Sequence, residues 1–62
     1  MYSEEELHEA RRAIVSTIGK CEKVLPKLKP GTSQHTLLVR RIKALQISVA
    51  LINKELDTLE SA

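Results

Sequence analysis

From Leu38 to the end of the chain, one pattern leaves little choice of fold. Leu38, Ile42, Leu45, Val49, Ile52, Leu56 and Leu59 are spaced 4, 3, 4, 3, 4, 3, with no glycine or proline among or beyond them. Such spacing puts every member on one side of a helix, and its alternation over three heptads is the pattern of a coiled-coil seam. A strand would need alternation by two, so the spacing predicts a long amphipathic helix.

The first part of the chain repeats the pattern less regularly. Leu7, Ala10, Ile14, Ile18, Cys21, Leu25 and Leu28 form a second stripe. Its start is marked by Ser3-Glu4-Glu5-Glu6, a capping box with Ser at the N-cap and Glu three residues on. Three glutamates also suit the positive end of the helix dipole. Pro26 lacks an N–H and disfavours helical geometry at Leu25, so regular helix is expected to stop near Val24 or Leu25, with room for one looser turn before Pro30-Gly31. Thr32 or Ser33 is the expected N-cap of the second helix. The expected fold is all-α: an antiparallel two-helix hairpin with a helix over about 3–25, a loop over about 26–32 and a helix over about 33–60, in a single domain spanning 1–62.

The two stripes share one register. In an antiparallel pair, facing residues have position numbers with a constant sum. Leu25 with Leu38, Cys21 with Ile42, Ile18 with Leu45, Ile14 with Val49 and Leu7 with Leu56 all give 63, and Leu28 with His35 extends the series towards the loop. Arg11 opposite Ile52 is the one polar break, where a small rotation would bring in Ala10 instead. Gly19 falls on the outward face, where it costs on the order of 1 kcal/mol relative to Ala, and the sequence offers no reason for it.

A hairpin of this kind does not use all its apolar residues. Leu37, Ala44, Ile47 and Leu51, with Ser48 and Arg41 between them, make a second stripe on the long helix. Ala13, Thr17 and Val24 make a weaker one on the first. Chains below roughly 70–80 residues rarely stabilise a single core without a disulfide, a metal or a partner chain. Cys21 is the only cysteine, and one Cys with His8 and His35 does not compose a usual four-ligand zinc site. The expectation is therefore a homo-oligomer, with a dimer favoured: two hairpins forming a four-helix bundle through Leu37, Ala44, Ile47, Ser48 and Leu51, on a twofold axis near Ala44 to Leu51. The alternative origin of the stripe is a larger protein whose other parts would cover it.

Charge is segregated along the hairpin. The half nearer the loop holds Lys20, Lys23, Lys27, Lys29, Arg40, Arg41 and Lys43 against Glu22 alone; the other half holds Arg11, Arg12 and Lys54 against Glu4, Glu5, Glu6, Glu9, Glu55, Asp57 and Glu60. This polarity could orient self-assembly, the basic loop end of one copy lying beside the acidic open end of another. It could instead attract nucleic acid through phosphate contacts, with Lys27, Lys29, Arg40, Arg41 and Lys43 as the candidate anion contacts. Against that, Tyr2 is the only aromatic residue, so nothing in the patch can stack on bases.

No catalytic constellation is evident. Pro30-Gly31-Thr32-Ser33-Gln34-His35 has no Gly-Lys-Ser/Thr, so it is not a phosphate-binding P-loop. The start of the second helix, near Lys27, Lys29 and His35, could hold an anion only through its own N–H groups. Cys21 reads as a small core residue, His8 as exposed, and His35 as packing on Leu28 or the loop backbone. The N-terminal glutamates, Glu9 among them, read as helix-capping residues. The expected function is a non-catalytic protein-interaction or regulatory module that self-associates, with an unidentified protein partner also conceivable; the alternative is a small nucleic-acid-binding regulator. No cofactor or metal and no membrane span is expected, since the longest apolar run is Val49–Ile52. The acidic start is unlike a secretory leader, and the expected location is the cytoplasm.

Overall fold

A computed structural model describes residues 1–61; Ala62, the last residue of the expected 1–62 domain, lies outside them. Two α-helices, α1 (Glu4–Val24) and α2 (Ser33–Glu60), pack side by side, joined through a single 3-10 turn (Leu25–Lys27). The described residues are helix, turn and connecting loop, with no strand among them. Among the described residues, no helix is long and apolar enough to cross a membrane.

Local chemistry sets each boundary. Ser3 caps α1 in extended geometry: its Oγ accepts from the Glu6 N–H at 3.1 Å, and Glu6 Oε1 accepts from the Ser3 N–H at 2.9 Å. Leu25 stays right-handed helical at φ −52°, although it precedes Pro26. The chain accommodates the proline by tightening into a 3-10 turn, whose first positions need no N–H. Leu28 then turns extended, and Gly31 takes φ 90°, a left-handed conformation that glycine adopts without a Cβ penalty. Thr32 is the cap of α2; its Oγ1 accepts from the His35 N–H and donates to the Lys29 carbonyl.

Burial follows the two apolar stripes. Leu38, Ile42 and Leu56 are buried, Leu56 most completely at 1% exposure, and the other seam residues are half-buried. Cys21 is half-buried in this row, as are Leu28 and His35 at its loop end. The polar break keeps its arginine: Arg11 is half-buried and Ala10 exposed, so the helix does not rotate to substitute one for the other. Arg11 holds its place because its guanidinium finds a partner across the hairpin in Asn53 and a second, His8, on its own helix.

The pair is long and thin, 46 × 16 × 15 Å, with a radius of gyration of 14.3 Å. A compact domain of this length would have about 11 Å. Stability therefore rests on one seam, and single changes there act strongly. Leu56→Ala should destabilise the fold by about 2–5 kcal/mol, most of what a core this small supplies. Gly19→Ala should act in the opposite sense: a Cβ there meets nothing within 4 Å, and the gain in helix propensity is about 1 kcal/mol. Thermal melts followed by circular dichroism read both; no rise for Gly19→Ala would mean that this glycine is in contact with something other than solvent.

Candidate interaction surface

The hairpin has two broad faces of different character. The first is polar and lies at the open end, where the start of α1 meets the end of α2. Arg11 Nη1 donates to Asn53 Oδ1 at 2.6 Å, and Arg11 Nη2 lies 2.9 Å from His8 Nδ1. Arginine can only donate, so Nδ1 accepts, and the ring proton of the neutral imidazole sits on Nε2. That nitrogen is 3.1 Å from Glu60 Oε2. His8 is thus half-buried, where the sequence suggested exposure; the partners that hold it come from the far end of the chain, which helical spacing within α1 does not reveal.

These contacts move the carboxyl groups in different directions. Glu60 is held below the usual carboxylate range, first by the hydrogen bond from His8, then by that from Glu4. Glu4 is raised, chiefly because it shares a hydrogen bond with Glu60 and so retains its proton more readily. Glu6 is lowered by the Ser3 N–H and then by the Ser3 hydroxyl. The N-terminal glutamates therefore do more than cap the helix: Glu6 caps, Glu4 reaches Glu60, and Glu9 pairs with Arg12 at 2.9 Å.

Glu4, His8 and Glu60 bring three potential ligand atoms within 4.8 Å of one another. A cation there would have to displace the Nε2 proton and sit beside the Arg11 guanidinium. The cluster's own hydrogen bonds account for its arrangement, which is that of a latch closing the two helices at their free ends.

The second face is apolar. Val24 and Leu28 of the first half and Gln34, Leu37, Leu38 and Arg41 of α2 line one open groove of about 250 Å³. The groove shows that the weak stripe of α1 and the second stripe of α2 lie on the same side of the hairpin. Leu37 is 57% exposed, Ile47 50% and Leu51 62%; Ala44 is exposed and Ser48 half-buried. At about 100° per residue, Leu37, Ala44, Ser48 and Leu51 keep to this flank, whereas Ile47 points almost directly away from the seam. Thr17 donates its hydroxyl to the Ala13 carbonyl and Ser48 to the Ala44 carbonyl, each at 3.0 Å. These hydroxyls satisfy themselves on their own helices, so neither asks for a polar partner. Val15 and Val39 are also exposed, and sequence reasoning had not singled them out.

Lys20, Lys23, Lys27, Lys29, Arg40, Arg41 and Lys43 are all exposed, and none makes a salt bridge among the described residues. They are distributed around the loop half: Lys23 and Arg40 fall on the outer backs of the two helices and Arg41 in the groove. No protein-family model matches the chain, and no curated protein and no solved structure matches it.

The latch yields a pH-dependent prediction. A carboxyl lowered in the folded state contributes stability above its ordinary range and loses it as pH falls through the lowered value. His8→Ala removes the leading cause for Glu60. Its carboxyl titration, followed by NMR, should move up towards the ordinary range. Stability should drop at pH 7, and the gap from the parent should narrow as acid protonates Glu60. An unmoved Glu60 titration would show that the latch does not form in solution.

Proposed function

We propose that this chain is a non-catalytic interaction module that self-associates, two hairpins forming a homodimeric four-helix bundle through the face that carries Leu37, Ala44, Ser48 and Leu51, with Ile47 at its margin. One observation carries this reading: the surface left uncovered. The chain exposes 4967 Å², whereas a compact monomer of its mass exposes about 4,000 Å². The excess, about 900 Å², is close to the roughly 800 Å² that each partner buries in a standard protein interface. Val24, Leu37 and Leu51 leave apolar surface exposed on the flank just described, and exposed patches of that kind mark interaction sites. With a single, half-buried free thiol and no apolar span, the reading places the module in the cytoplasm.

A second reading has an observation of its own. Seven unpaired exposed cations around the loop half favour attraction to nucleic acid, with Arg40 and Lys43 on the outer side of α2 as contacts. Such binding would be electrostatic and would weaken steeply with salt; absence of binding to duplex RNA or DNA at low salt removes it.

Self-association is measured directly by light scattering after size exclusion. The expected mass is twice the 7.0 kDa of the chain, and the melting temperature should rise with protein concentration. Leu51→Glu should return the chain to monomer by placing a charge in the interface. A parent protein that elutes as a folded monomer at micromolar concentration would overturn the proposal.

A further inference from the structure

We propose that the two copies dock antiparallel, α2 against α2, about a twofold axis at Ser48, so that Arg41 of each protomer meets the partner's Glu55. This rests on self-association as proposed above and adds the orientation and register of the partner.

The arrangement comes from a row of residues along the uncovered flank of α2. Arg41, Ser48 and Glu55 are each seven residues apart, so they lie in one row along α2. Interleaved with them are Leu37, Ala44 and Leu51, completing a second stripe spaced 4, 3, 4, 3, 4. Arg41 and Glu55 are both exposed and make no salt bridge among the described residues. They stand at equal distances on either side of Ser48. A twofold axis through Ser48 therefore sets each opposite its counterpart of opposite charge, twice in one interface. The same axis pairs residues 36–60 with the partner's 60–36, nearly the whole of α2 (Ser33–Glu60). Ala44 and Ser48 at the centre are small, and the Ser48 hydroxyl is already bonded to the Ala44 carbonyl, so the backbones can approach closely there.

Parallel docking fails on the same charges. It would put Arg41 against the partner's Arg41 and Glu55 against the partner's Glu55, with both loop halves, each rich in lysine, side by side. Like charges across an interface are a strong discriminator between arrangements. Antiparallel docking instead lays each basic loop half along the partner's acidic open half. It also sends the two loops to opposite ends of the bundle, so the basic halves do not merge into one large cationic surface.

Disulfide trapping tests the orientation. In a Cys21→Ser background, with Cys21→Ala as a second background should the first not fold, Ser48→Cys should oxidise to a covalent dimer, since Cα atoms on the axis come within disulfide reach. Arg41→Cys and Glu55→Cys should cross-link when mixed and poorly when oxidised alone. Charge exchange gives an independent readout: Arg41→Glu or Glu55→Arg alone should weaken self-association about tenfold through two symmetry-related pairs, and the double exchange should restore it. A dimeric mass with separate Arg41→Cys and Glu55→Cys cross-links, or with no recovery in the double exchange, would overturn the antiparallel register while leaving self-association standing. A monomeric mass for the reduced parent would overturn both. A dimer that cross-links at none of these positions would place the interface on another face and overturn this proposal.

Discussion

Two helices can cover only one side of each other, and that geometric limit governs this molecule. Along the seam from Leu7 to Leu59 apolar side chains leave water together, and among the described residues Leu38, Ile42 and Leu56 are the buried ones. Everything else is arranged around that narrow core. The N-cap at Ser3 and the Thr32 cap spare the helix ends from unsatisfied N–H groups. The 3-10 turn and the left-handed Gly31 lead the chain from α1 into α2. At the opposite end, Arg11 with Asn53 and His8 with Glu60 tie the helices where no loop connects them.

The same limit leaves apolar surface uncovered. A seam one residue wide leaves the flank carrying Leu37, Ala44 and Leu51 unpartnered, and the exposed area exceeds that of a compact chain by about what a dimer interface removes. The opposite flank ties its polar side chains together at the open end, through Arg11 with Asn53 and His8 with Glu60. In the proposed assembly, the alternation of Arg41, Ser48 and Glu55 along the uncovered flank supplies a reason for the partner to be a second copy.

The spacing of apolar residues and the punctuation by Ser3, Pro26, Gly31 and Thr32 were enough to give the helices, the turn and the buried stripes, because these depend on periods of 3.6 residues and on local backbone chemistry. The half-burial of Arg11 in place of Ala10, the capture of His8 and the reach of Glu4 to Glu60 were not legible there. They depend on side chains more than forty residues apart meeting at the open end, and helical spacing says nothing of which long side chain bends towards which. Only the packed pair also showed that Val24 and Leu37 border one groove, because the side to which a flank turns is decided when two helices are set against each other and not by either alone.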